Sequence, residues 1–183
     1  MLIYNGLYQI LESIDMSKNK RIFIVGHSGA GKGVVAQALA KELGWQFIDS
    51  DFALAPSIGR TMVEIVGNQG EEAFHQCLSK ILSHQQGQEN IVVTTDDSLV
   101  CHEKNRKLLA SEFTVYLKVS PSVQLERISH NRPLLPNSDY KSFLNKLRHE
   151  RDDLYDQVAS FSISSDDGNI EEHVASIVKA FRK

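Results

Sequence analysis

The chain has 183 residues, 42% of them hydrophobic and 23% charged, which suits one packed globular domain and excludes a disordered or fibrous chain. Its 20 lysines and arginines against 23 aspartates and glutamates leave a formal net charge of -3, so a general nucleic-acid binder is excluded and any nucleotide partner should be a small one. The two cysteines, Cys77 and Cys101, lack metal-ligand spacing, no apolar run approaches the roughly 18 residues of a membrane span, and the first residues carry no basic-then-apolar signal. The expectation is a cytoplasmic monomer with reduced thiols and no membrane partner.

Taken in chain order, Leu2, Ile3, Leu7, Ile10, Leu11 and Ile14 are spaced as one face of a helix, so residues 1–20 read as an accessory helix ahead of the main domain, 21–183. Ile22-Phe23-Ile24-Val25 is a short buried strand. It runs into Gly26-His27-Ser28-Gly29-Ala30-Gly31-Lys32-Gly33, and Val34 onward is helical to Leu43, closed by Gly44. A strand, a glycine-rich turn of the form GxxxxGK and a helix make a phosphate-binding loop: backbone amides converge on phosphate oxygens at the positive end of the helix, and Lys32 adds a point charge. Where a Ser or Thr hydroxyl usually follows the lysine and reaches magnesium, this chain has Gly33, and Val34 offers no hydroxyl either.

Trp45 to Ile48 is a second strand that delivers Asp49-Ser50-Asp51 to its carboxyl end. Two readings of this turn stand open: a helix cap, or a functional edge where Asp49 holds water around magnesium and Asp51 accepts a proton from a hydroxyl substrate. Residues 52–87 read as helix in two or three pieces, broken near Pro56 to Gly59 and Gly67 to Gly70. Ile91 to Thr95 is a third strand ending in Asp96-Asp97, and Phe113 to Leu117 a fourth. Ser120-Pro121 opens a helix with Leu125 and Ile128 inward. After a basic, proline-punctuated stretch from Arg127 to Pro136 comes a helix over about 139–158, a last strand at Phe161 to Ile163, and a closing helix from Asn169 to Phe181. Strands alternating with helices predict an α/β fold of three layers, about five parallel strands covered on both faces, with every carboxyl end on one rim.

From Arg21 onward these motifs, in this order, resemble the shikimate kinase family of phosphate-loop kinases. The resemblance rests on the loop and its helix, on Phe47 to Asp51, on Gly59 to Ile65 with Gly70 to Phe74, on Arg132-Pro133-Leu134-Leu135 as a lid within about 130–140, and on Glu150-Arg151 with Leu154-Tyr155. It implies a kinase of aromatic amino acid biosynthesis using ATP and Mg2+ to phosphorylate a small hydroxyl compound, with shikimate the best named acceptor. By resemblance Lys32 contacts the transferred phosphate, Arg127 lies by the adenine, Arg132 swings in with the lid, and Asp51 and Arg151 bind the acceptor through its hydroxyls and carboxylate. Phosphoryl transfer needs positioning and charge neutralisation more than covalent help, and a guanidinium can donate two parallel hydrogen bonds to a carboxylate.

Three positions depart from the family. Gly33 replaces the loop hydroxyl, His75 stands where an acceptor-binding arginine is expected, and Asp96-Asp97-Ser98 replaces three glycines. The last two changes move the acceptor pocket by roughly three charge units toward negative with His75 neutral, so weak shikimate binding is expected. Asp96 either caps the next segment or, with Asp49, takes over the metal positioning that the missing hydroxyl would have given. A kinase for a less anionic acceptor and a nucleotide-binding protein without turnover remain as alternatives.

Overall fold

The computed structural model describes residues 20–51, 70–131 and 137–183. The N-terminal helix expected over 1–20, the helical pieces over 52–69, and Arg132 with the lid sequence through Pro136 lie outside the described residues, apart from Lys20.

Five strands, β1 (Arg21–Val25), β2 (Gln46–Ser50), β3 (Ile91–Thr95), β4 (Phe113–Lys118) and β5 (Phe161–Ser164), form one sheet in the order β2-β3-β1-β4-β5. All pairings are parallel, with Phe23 opposite Val93 on one side and Thr114 on the other. Around the sheet lie α1 (Lys32–Leu43), α2 (Gly70–Gln85), α3 (Glu103–Ala110), α4 (Pro121–Asn131), α5 (Asn137–Val158) and α6 (Ile170–Phe181). No helix among the described residues is long and apolar enough to cross a membrane.

Strand alternation splits the core into two layers. Ile22 and Ile24 of β1 face Val35, Ala36 and Leu39 of α1 and Ile177 of α6, while Phe23 and Val25 face Leu78 and Leu82 of α2, Leu109 of α3 and Tyr155 of α5. Both faces of the central strands are buried, hence their unbroken apolar runs. Gly44 closes α1 in the left-handed conformation (φ 66°), its amide donating to the carbonyls of Ala40 and Lys41, as the sequence predicts.

Two local expectations are corrected. Helix α3, preceded by a 3-10 turn at Leu99–Cys101, is absent from the sequence reading: its five opening residues, Glu-Lys-Asn-Arg-Lys, are polar and show no apolar stripe. In α4 it is Gln124, not Leu125, that joins Ile128 in the interior, because an amide is needed there by the phosphate loop.

The chain leaves β1 toward β2 and leaves β3 in the opposite direction toward β4, although β1 and β3 are neighbours. With right-handed crossovers, α1 and α3 therefore cover opposite faces, and a crevice opens at the carboxyl ends of β1 and β3.

Candidate active site

The first turn of α1 opens on that crevice. Gly26 has φ 148°, and a Cβ there would stand 2.6 Å from the carbonyl oxygen of Leu117, so only glycine lets the chain pass beneath β4. Loop carbonyls are drawn away from the crevice by side chains. Lys32 Nζ donates to the carbonyls of Gly26 (2.9 Å) and His27 (3.2 Å), and Gln124 Nε2 to that of Ser28 (2.9 Å). Arg127 donates to the carbonyls of Gly29 (3.2 Å) and Ala30 (3.3 Å), and Ser165 Oγ to that of Ala30 (2.7 Å). With the carbonyls taken, the leading amides of α1, from Lys32, Gly33 and Val34, are left as donors at the positive end of the helix.

Lys32 also meets Asp51 Oδ2 at 3.0 Å, both side chains nearly sealed from solvent. The ammonium and the carboxylate that the sequence assigns to opposite halves of the reaction thus face one another. A cavity of about 440 Å³ is lined by the loop from Ser28 to Val35, by Asp51, and by Arg127, Ser165, Gly168 and Ile170. Arg127 is fastened to the wall of this cavity, donating to the Ser165 carbonyl at 2.7 Å.

The remaining acidic residues are held by their own turns. Asp49 Oδ1 accepts from the Asp51 amide (3.0 Å) and Thr94 Oγ1 (2.8 Å). Asp96 Oδ1 accepts from the Ser98 amide (3.0 Å) and hydroxyl (2.6 Å), so it does cap the turn after β3. Burial, and after it the negative charge of Asp97, raises the Asp96 carboxyl above the usual carboxylate range. Among the described residues no three His, Cys, Asp or Glu side chains group as a metal-ligand set. Asp49 and Asp96 stand near the carboxyl ends of the neighbouring strands β2 and β3, and their hard oxygens are of the type magnesium takes.

Arg151 and Asp97 come together as an ion pair, Nη1 to Oδ2 3.2 Å, in a second cavity of about 290 Å³ on the other side of Ser28 and Ile128. His75 is not brought to either cavity. It stacks on His102, ring centroids 4.1 Å apart, in a separate depression with Glu72 and Ser79.

His27, in the second position of the loop, is buried and bonds through Nε2 to Asp152 Oδ1 at 2.5 Å, its ring edge against Tyr155. Burial, outweighing the nearby Asp152 carboxylate, pushes the His27 imidazole below its ordinary range. Gln124, Ser165 and the Asp152 partner of His27 went unread in the sequence. The Ser-Asp-Asp-Gly turn after β5 was the available signal for Ser165.

The shikimate kinase family model matches residues 28–182. The chain is similar to the shikimate kinase of Legionella pneumophila (strain Corby), 36% identical over 165 residues that span 88% of this chain and 94% of the relative. It is 38% identical to that of Halorhodospira halophila (strain DSM 244 / SL1), over 88% of this chain and 93% of the relative. The fold matches the structure of the shikimate kinase from Acinetobacter baumannii in complex with shikimate, TM-score 0.75 at 29% identity, covering 92% of this chain and 94% of that one.

Proposed function

The chain belongs to the shikimate kinase family, and from that membership we propose that it transfers the γ-phosphoryl group of ATP to a ring hydroxyl of shikimate, as a cytoplasmic monomer that uses Mg2+. The observation that carries the reading is the 3.0 Å approach of Lys32 to Asp51, which sets the phosphate-binding cation against the residue suited to take the hydroxyl proton.

A polyphosphate entering the loop meets the leading amides of α1 and competes with Asp51 for Lys32. Asp51, released from its pair, accepts the hydroxyl proton as the acceptor oxygen forms its bond to the γ-phosphorus and the bond to the bridging oxygen breaks, leaving ADP. Arg127 holds the base end of the nucleotide, and Arg132 would bring further positive charge from the lid sequence. Arg151, paired with Asp97, would stand on the acceptor side. Asp49 and Asp96 would hold magnesium, which when bound neutralises charge on the nucleotide phosphates.

The test is ADP formation by purified protein with Mg2+ and ATP, with and without shikimate, in the native chain and in Lys32→Ala and Asp51→Asn. Shikimate-stimulated ADP release that falls by roughly a hundredfold or more in each variant is the expected result. Release indifferent to shikimate, or variants as active as the native chain, would overturn the reading.

A further inference from the structure

The Arg151 guanidinium already has a carboxylate. Asp97 Oδ2 lies 3.2 Å from its Nη1, and the two side chains are 12% and 14% exposed, so water screens the pair little. Asp97 is also pinned from the other direction. Its backbone carbonyl accepts from the hydroxyl of Tyr155 at 2.7 Å, and Tyr155 is fully buried one helical turn beyond Arg151 on α5. One helix therefore holds both ends of residue 97, and the ion pair is built into the packing of α5 on the turn after β3.

This arrangement changes what the second cavity can recognise. A guanidinium facing an empty space binds a carboxylate through charge-assisted hydrogen bonds. A guanidinium already matched by a buried carboxylate presents a nearly neutral pair, and a second carboxylate then meets the charge of Asp97 at close range. The same helix that carries Arg151 also lines this cavity with Tyr140, Phe143, Leu144 and Leu147, an apolar stretch suited to the carbon face of a ring.

We propose that Asp97 sets acceptor selectivity by occupying Arg151, so that the site takes a carboxylate-free polyhydroxylated ring at least as well as a carboxylated one. The inference rests on the kinase reading of the site and narrows its acceptor class. An acidic acceptor has to displace Asp97 from Arg151 or bind beside it, whereas a neutral ring keeps the pair intact.

The experiment compares kcat/KM for shikimate with that for its alcohol analogue, in which the carboxylate is replaced by hydroxymethyl on the same ring, in the native chain and in Asp97→Asn. The substitution keeps side-chain shape and leaves the carbonyl that Tyr155 bonds, and a melting curve checks the fold. The native chain is expected to use the analogue at least as well as shikimate. Asp97→Asn should then raise the shikimate-to-analogue ratio by on the order of tenfold to a hundredfold, through KM for shikimate and not kcat, the size of one or two tenfold affinity steps. A native preference for shikimate, or a ratio unmoved by Asp97→Asn, overturns the proposal. If neither compound is phosphorylated by either protein, the kinase reading fails on its own, and shikimate binding by calorimetry still decides the role of Asp97: tighter binding in the variant supports it and equal or absent binding in both refutes it.

Discussion

At residue 33 the structure offers a direct test of what the loop lacks. A Cβ added to Gly33 meets nothing within 4 Å, and the residue has an ordinary helical backbone rather than a left-handed one. Gly33→Ser should therefore be accommodated and remove the helix penalty of glycine, about 0.5 kcal/mol. Its hydroxyl would add a magnesium ligand, so the Mg2+ concentration giving half-maximal nucleotide binding should fall several-fold in a fluorescent-nucleotide titration. An unchanged Mg2+ dependence would mean the metal lies elsewhere. Asp96 supplies the complementary prediction. Its carboxyl is raised by burial and by Asp97, so the folded chain holds that proton more tightly than the unfolded one. The contribution to stability is complete below the unfolded value and is lost as pH rises through the folded value. Asp96→Asn should thus be more stable than the native chain in urea at neutral pH and lose that advantage in mild acid, while binding Mg2+-nucleotide more weakly. A stability difference that does not vary with pH would contradict the assignment. Lys32 and Asp51 were legible in the sequence because strand, turn and helix signals surround them. Asp96 could not be settled there, since an Asx cap and a metal ligand use the same residue in the same place.

Among the elements, α5 ties the most of the site together, joining the loop through Asp152 to His27, the turn after β3 through Arg151 and Tyr155, and α4 through Arg148 to Gln124 Oε1 at 2.7 Å. Gln124 is the hinge of that last contact. It is 1% exposed, accepts from Arg148 and donates to Ser28 of the loop. Gln124→Ala leaves both partners without it and should lower stability by about 1–3 kcal/mol, with a KM for ATP raised more than the KM for the acceptor. Chemical denaturation and steady-state kinetics check the two parts, and equal changes in both KM values would point to general loosening instead. The central strands were legible because both their faces are buried, which leaves nearly unbroken apolar runs. Helix α3 was not, because its only inward apolar residues, Leu108 and Leu109, come near its end and the other buried position is the polar Asn105. The inward turn of Gln124 was hidden for a different reason: its partner, the Ser28 carbonyl, is far away in sequence and invisible to any periodicity.

For the molecule as a whole, parallel strands and right-handed crossovers were enough to predict that the loop, Asp51 and Asp96-Asp97 share one rim. The insertion of β3 between β1 and β2, which opens the crevice, could not be read from alternation, because neighbouring strands in the sheet need not be neighbours in the chain. The same topology separates two cavities on either side of Ser28, one with the nucleotide features and one with the Arg151–Asp97 pair, and phosphoryl transfer would pass between them. Phosphorus NMR of the protein with Mg2+, ATP and shikimate follows that passage atom by atom. ADP and a new phosphomonoester resonance should appear in equal amounts; ADP accompanied only by inorganic phosphate, or ATP left unconsumed, would rule the transfer out.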